Sequence, residues 1–405
     1  MNLPPYIVKL ISLIQKKGYE VYLVGGAIRD FLLKIKSSDY DLATNMPYEE
    51  ILSLCKENKL KTNTQGIKHE TVGIVLNHNY IEVTCFRGLD KDRLEEDLKL
   101  RDFTINSLAF NGKGIIDVTG GVSDINKKII RAYNPHRCFK DDPLRILRMF
   151  RFKAKCNFKI DESTLSTALK FVDRLNYVAI ERVKDELDKI LLSNPLVIID
   201  LASSTILDTL FDKYVIFSNY KELIKLVNKG YTPDLVKQKN LIANYALLFI
   251  IIGTINNIDN MAVANKLMSK FIFSNISTQR IKKILKAYEY SFPLDKASNL
   301  FHLINDLGLD NTDLDNLFTF NKGLNQINSE KHRAINSVKN EYLTRKKNNY
   351  LIFIDDLAVT GEDIINYTKK RNREIGILKK ELFKMCFFNN NFNNYEKLIT
   401  FLKTI

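Results

Sequence analysis

The chain is sparing with the residues that build metal clusters and crosslinks. Its 405 residues include five cysteines, Cys55, Cys85, Cys138, Cys156 and Cys386, each alone in its stretch. No C-x-x-C pair occurs, which argues against a zinc site, and a dispersed, odd set points to reduced thiols in a cytoplasm. Five histidines are present, none followed by aspartate and none at helical metal-site spacing, so a metal-dependent phosphohydrolase module is not expected. Long apolar runs are missing as well. The most apolar stretch, "LIANYALLFIIIGTI", is short for a membrane span and contains Asn244, so it reads as a buried helix and no membrane partner is expected. The opening "MNLPPYIVKL" carries no signal-peptide pattern, and no repeat recurs at a fixed period.

What is abundant is positive charge. Lys and Arg number 61 against 47 Asp and Glu, a net +14, and the isoelectric point is about 9.3. Such a balance favours a polyanionic partner such as nucleic acid. Drift in base composition is the bland alternative, since Lys and Asn are enriched throughout, as in "FFNNNFNNYEK". With 45% apolar residues over this length, the chain can fill more than one core, and two to four units are expected.

Strand and helix signals mix over the first 120 or so residues. "EVYLVGG" is a β-rich run ending in two glycines, and "AIRDFLL" reads as a helix opening directly after them. "HETVGIVL" and "YIEVTCF" form an expected hairpin across "NHNY", and "GIIDVTGG" a further strand and turn. Beyond residue 125 strand signals thin out. "DPLRILRMFRFKAK", "IDESTLSTALKFVDRL" and "AIERVKDELDKILL" are amphipathic helices, and helical periods continue to the end. The fold class is therefore α+β: an N-terminal head with a mixed sheet and helices, then an all-α array.

The chemistry-bearing residues sit in this head and just after it. Gly25 and Gly26 end a strand and let backbone approach a ligand, with helix N–H groups facing outward and Arg29 one turn in. "SSDYDLAT" sets Asp39 and Asp41 on one side of an extended segment, where like charges call for a cation, and hard Mg²⁺ suits carboxylate oxygens. In "NYIEVTCF", Ile81, Val83 and Cys85 share the inward face, leaving Glu82 on the open one, either as a third acid or as an ordinary surface glutamate. "LRDFTINSLAF" places Arg101 and Asp102 before an expected apolar helix containing Asn106; Asp102 reads as a cap or as a nucleotide contact. In "DDPLRILRMFRF", Pro143 suits a first helical turn behind Asp142, while Arg145, Arg148 and Arg151 form a stripe whose like charges call for an anion.

Taken together, these motifs resemble the class II tRNA nucleotidyltransferases, the CCA-adding enzyme family related to bacterial poly(A) polymerases within the polymerase-β-like superfamily. "LVGGAIRD" with "DYDLAT" is similar to the family's catalytic motif, "LRDFTINSLAF" to its ribose-sensing motif and "DVTGGVSDI" to its hinge. "DDPLRILRMFRF" is similar to its nucleotide-selecting motif and "ERVKDELDKIL" to its neck-stabilising helix. "DLAVTGEDII" and "REIGILKKEL" resemble the tail of short bacterial members. Leu100 is a departure, since many members carry a second Arg there.

The resemblance implies four parts: a nucleotidyltransferase head over 1–125, a neck over 126–205, a body over 206–335 and a tRNA-binding tail over 336–405. It implies Asp39 and Asp41 as Mg²⁺ ligands and catalytic groups, with Glu82 beside them. Gly25, Gly26, Arg29, Arg101, Asp102, Asn106, Arg148 and Arg151 would hold the nucleotide, and Asp142 and Arg145 would read its base. The substrates would be CTP and ATP and the acceptor arm of tRNA, and the protein a monomer, with a homodimer as the alternative. A carboxylate accepts where cytosine and adenine donate, and a guanidinium donates where both accept. Uracil and guanine present the opposite groups and leave buried polar atoms unpaired. Two rival readings are a poly(A) polymerase and a non-catalytic RNA-binding protein. Between "TCFR" and "LEEDL" only "GLDKDR" is available, where CCA-adding members carry a longer loop, so the resemblance leans toward an enzyme that adds CC.

Overall fold

A computed structural model describes residues 1–37, 39–64, 70–76, 78–88, 93–211, 220–293, 295–368 and 370–405. The chain divides into two compact units, Met1–Ile190 and Leu191–Ile405.

The first unit opens with helix α1 (Pro5–Lys16), which buries Ile7, Leu10 and Ile14 on one face. Strand β1 (Val21–Val24), helix α2 (Gly26–Leu32), β2 (Asp41–Thr44), helix α3 (Tyr48–Glu57), β3 (Lys61–Asn63), β4 (Thr71–Leu76), β5 (Asn79–Cys85), helix α4 (Leu94–Lys99), β6 (Leu108–Phe110) and β7 (Ile115–Asp117) follow. They build a seven-stranded sheet in the order β3-β4-β5-β2-β1-β6-β7. β2 and β5 pair in parallel, whereas β4 and β5 form the expected antiparallel hairpin. One face of the sheet carries Leu23, Leu42, Val72, Ile74, Ile81 and Val83, all buried. On the other face, Leu94 and Leu98 of α4 close over Val24, Ala43 and Ala109.

Asp117 turns the chain out of the sheet. Its carboxylate accepts from the backbone N–H groups of Thr119, Gly120, Gly121 and Val122 at 2.9–3.2 Å, ordering the turn into helix α5 (Gly121–Lys127). β8 (Ile129–Ile130), helix α6 (Pro135–Asp141), helix α7 (Arg145–Cys156), β9 (Lys159–Ile160), helix α8 (Glu162–Leu169) and helix α9 (Ile180–Ser193) complete this part. Two expectations shift. The stretch "RDFTINSLAF" is not a helix: a single 3₁₀ turn, Thr104–Asn106, leads into β6, whose backbone pairs with β1 and β7. Tertiary pairing outweighs the local apolar pattern there. Helix α7 begins at Arg145, so Pro143 lies in the turn before it, and Asp142 Oδ1 caps that turn by accepting from Leu144 N–H at 3.1 Å.

The second unit is helical among its described residues. The apolar stretch of the sequence is the helix Leu241–Asn256, almost wholly buried among other helices. Asn244 within it is fully buried; its Nδ2 donates to the Leu191 carbonyl at 3.0 Å, while its Oδ1 has no hydrogen-bond partner among the described residues, so only part of the cost of sinking the amide is met. No helix among the described residues is long and apolar enough to cross a membrane.

Candidate active site

The end of β1 sets the site. Gly25 has φ +76°, a conformation that side chains rarely adopt, and its N–H donates to the Leu108 carbonyl at 3.1 Å. A Cβ on Gly25 would stand 3.7 Å from an Arg101 guanidinium nitrogen and 3.8 Å from Asp41 Oδ2, so the glycine lies between a cation and a carboxylate. Helix α2 starts at Gly26. Arg29 is buried rather than extended into solvent: its guanidinium donates to Asp30 Oδ1 at 2.6 and 2.9 Å and to Asn106 Oδ1 at 2.6 Å. It also lies over the Phe152 ring, and Lys155 reaches Asp30 Oδ2 at 3.1 Å. Arg29 thus ties α2 to the Asn106 turn.

Asp41 opens β2 directly beside Glu82 of β5, because the parallel register pairs these two residues. Asp39 lies two residues earlier, exposed. Burial, and then the negative charges of Asp39 and Glu82, push the Asp41 carboxyl up to about 7, against the pull of Arg101 and Arg87. Glu82 is raised in the same way, first by burial and then by Asp39. The set is oxygen-only and like-charged, and its most buried member is hard to ionise alone, which fits a hard divalent cation. No cluster of three or more metal-ligating side chains is already gathered among the described residues.

Opposite these acids stands a cationic wall. Arg101 pairs with the fully buried Asp97 at 2.8 Å, and Asp97 also accepts from the Arg87 backbone N–H at 3.2 Å. Arg87 is pulled down from the usual guanidinium range by burial and then by the like charge of Arg101, with Arg145 adding to it. Asp102 accepts from Phe103 N–H at 2.9 Å and Asn106 Nδ2 at 3.0 Å through one oxygen, and from Arg148 at 2.6 and 3.0 Å through the other. Burial alone would raise this carboxyl, but Arg148, Asn106 and Arg145 outweigh it and hold it well below the carboxylate range.

The arginine stripe on α7 is therefore compensated largely from within. Arg148 is matched by Asp102, and Arg151 meets Glu186 of α9 at 3.0 Å, as an ion pair without hydrogen-bond alignment. The like charges there do not require a bound anion. Arg145 is held otherwise, by the main-chain carbonyls of Leu100 at 3.2 Å and Cys138 at 3.5 Å. The contact at residue 100 is a backbone one, so the missing arginine there does not remove it. Asp142 Oδ2 accepts from Arg182 of α9 at 3.0 Å.

All of the expected site residues line one cavity of about 620 Å³, from Gly25 and the acids to Arg151. Arg87, Asp141, Phe152, Lys155 and Arg182 line it too and were not singled out from the sequence. Arg182 and Glu186 are four apart in "ERVKDEL", on one helix face, and that spacing was a usable signal. Asp97 likewise precedes Arg101 by four residues. Residues 89–92, which make up most of the short "GLDKDR" connection, lie outside the described residues.

A sheet that sets paired acids against an arginine-lined cavity defines a polymerase-type head, and comparison with known proteins agrees. Residues 21–131 match the family model "Poly A polymerase head domain", and residues 157–214 match "Probable RNA and SrmB-binding site of polymerase A". The CCA-adding enzyme of Enterococcus faecalis is 39% identical over 198 residues, 45% of this chain and 48% of that protein. The match thus spans about half the length of the first relatives. The CCA-adding enzyme of Lactobacillus helveticus is 31% identical over 307 residues, 71% of this chain and 73% of that protein. A crystal structure of the Bacillus stearothermophilus CCA-adding enzyme in complex with CTP superposes with a TM-score of 0.75 at 23% identity, covering 99% of this chain and 97% of its own. The chain belongs to the CCA-adding enzyme family.

Proposed function

We propose that this protein is a tRNA nucleotidyltransferase that adds CMP from CTP to the tRNA 3′ end without a nucleic-acid template, with completion to CCA by AMP from ATP as the alternative. The observation that carries the reading is the in-register pair Asp41 and Glu82 facing an arginine-lined cavity that also holds Asp142 and Arg145. Asp39 and Asp41, with Glu82 alongside, would hold Mg²⁺, which supplies positive charge to the reacting phosphate and the departing pyrophosphate. Arg101 and Arg87 face the polyphosphate and neutralise it. Gly25 leaves room for that chain to pass close to the backbone. Asp102 fixes Arg148 and Asn106, and through Asn106 the buried Arg29. Asp142 and Arg145 present an acceptor and a donor, the pattern that cytosine and adenine share and that uracil and guanine oppose. The neck over 126–205 would then select the nucleotide, and the body and tail, 206–405, would bind the acceptor arm through phosphates.

The short connection after Arg87 favours CC addition, with A left to a partner enzyme. After two additions the pocket must reshape for adenine, and that needs a mobile element with two states. The test is incubation with tRNA ending at its discriminator base, with each nucleotide alone and with CTP and ATP together. Short C-containing additions are expected, and Asp41→Asn is expected to abolish them while tRNA binding persists. Long A tracts would favour a poly(A) polymerase, absence of product a binding protein, and efficient completion to CCA would overturn the CC-only reading.

A further inference from the structure

The sheet carries a second set of residues beside the acids that the nucleotide reading does not use. Across the strands, Asp41 pairs with Glu82, Glu82 with Gly73 of β4, and Gly73 with Asn63 of β3. On the same face, two residues back along β5, Tyr80 pairs with Val75, and Val75 with Lys61. The slot beside Glu82 is empty of a side chain of its own because it belongs to a glycine. The Tyr80 ring fills it: a Cβ on Gly73 would fall 2.6 Å from Cε2 of that ring. The phenol end of Tyr80 therefore lies over Gly73, the cross-strand neighbour of Glu82, with 48% of the residue exposed, and Val75 beside it is 38% exposed. Lys61 stands exposed at the outer edge.

Strand order gives this surface a direction. β5, β4 and β3 lie on one side of β2, while β1 and β6 lie on the other. Gly25 ends β1 and Arg101 lies against it, 3.7 Å from where a Cβ on Gly25 would stand, whereas Arg87 follows β5 and enters the same cavity from that side. In a phosphoryl transfer the attacking and leaving oxygens stand roughly in line on opposite sides of phosphorus. With pyrophosphate departing toward Gly25 and Arg101, the attacking 3′-hydroxyl comes from the side of Glu82 and Tyr80. We infer that the open face of β3–β5 is the seat of the RNA 3′ terminus. Its last base stacks on Tyr80, and Lys61 meets a backbone phosphate behind it. An exposed aromatic ring accepts any base, because every base has a π-face, and this suits a terminus whose identity changes with each addition.

The inference deepens the nucleotidyltransferase reading and rests on it, so the test separates the two. A tRNA lacking its terminal CCA and carrying 2-aminopurine as its last base is titrated with the full-length protein, with no nucleotide present. Quenching is expected on binding to the parent and to Tyr80→Phe, and its loss is expected in Tyr80→Ala and Tyr80→Leu. In CTP incorporation, Tyr80→Ala is expected to raise KM for tRNA about tenfold with kcat far less affected. Equilibrium dialysis should show CTP binding unchanged, and Lys61→Ala should raise KM for tRNA a few-fold. Tyr80→Leu keeps an apolar cover on Gly73 without a flat ring, so behaviour like the parent in that variant overturns stacking. Unchanged quenching and KM in Tyr80→Ala, or an effect on CTP instead of tRNA, overturns the proposed seat. Quenching by a parent protein that transfers no nucleotide would support the seat and remove the activity.

Discussion

Asp102 shows how one buried carboxylate can organise a site without reacting in it. It collects Arg148, Asn106 and a backbone N–H, and two of those partners reach the cavity. Asp102→Ala is expected to destabilise the fold by less than the about 3–5 kcal/mol of a broken fully buried pair, because the Arg148 side chain is 34% exposed and keeps Glu186 at 3.9 Å. The pH dependence has a definite sign. Folding lowers this carboxyl below its unfolded value of about 3.9, so its contribution is complete above that pH and is lost as pH falls through the folded value. Melting curves of the parent and Asp102→Asn should therefore run at a constant separation from about pH 5 to 7 and converge only in strong acid. A separation that changes near neutrality would mean that another group titrates. The pair proposed to read the base, Asp142 and Arg145, belongs to the same scale. Asp142→Ala or Arg145→Ala is expected to raise the use of UTP or GTP relative to CTP by about tenfold or more, measured as ratios of kcat/KM. Arg182→Ala should produce a smaller shift in the same direction, because it only orients Asp142. An equal loss of rate with all four nucleotides would make the pair structural.

Elements, rather than single residues, decide how close the backbone comes to a ligand. The β1-to-α2 turn makes adjacent glycines unequal. Gly25 sits at φ +76°, whereas Gly26 begins the helix and a Cβ there would meet the end of the Arg29 side chain at 3.4 Å. Gly25→Ala is expected to lose about 1–3 kcal/mol to backbone strain and to weaken CTP binding, while Gly26→Ala should be close to neutral in thermal melts. Equal effects of the two substitutions would remove the argument from conformation. The same scale explains what was legible beforehand. Alternation in "YIEVTCF" gave the facing of Glu82, and helical periods gave α7 and α9, because burial on one face leaves a period in the sequence. The turn and strand in "FTINSLAF" were not legible, since pairing with β1 and β7 is decided by residues far away in the chain. The internal pairing of Arg148 and Arg151 was hidden for the same reason: their partners lie 46 residues before Arg148, at Asp102, and on α9, at Glu186. A stripe of like charge reads alike whether its partner is a ligand or another helix.

At the scale of the whole molecule, the charge of +14 becomes an argument about partners. In the cavity much of the positive charge is already spent: Arg29, Arg101, Arg148 and Arg151 each have a carboxylate within 3.0 Å. The excess therefore lies mainly elsewhere, and much of it is lysine on exposed helix faces, such as Lys346 and Lys347 at the end of the helix Ser329–Lys347. Such side chains meet phosphates as point charges and release the counterions condensed on RNA. The affinity for tRNA should then fall steeply and linearly with salt on a double-logarithmic plot, by about tenfold or more between 50 and 200 mM. CTP affinity, set by groups in a cavity already rich in internal pairs, should fall far less over the same range. Asp41→Asn should keep the tRNA slope of the parent, because that carboxylate lies in the cavity and is proposed to serve the chemistry, not the basic surface. Filter binding of tRNA and dialysis of CTP at the same salt concentrations measure both slopes. A flat tRNA dependence would remove the role of the basic surface, and a CTP slope as steep as that of tRNA would place the excess charge in the cavity after all.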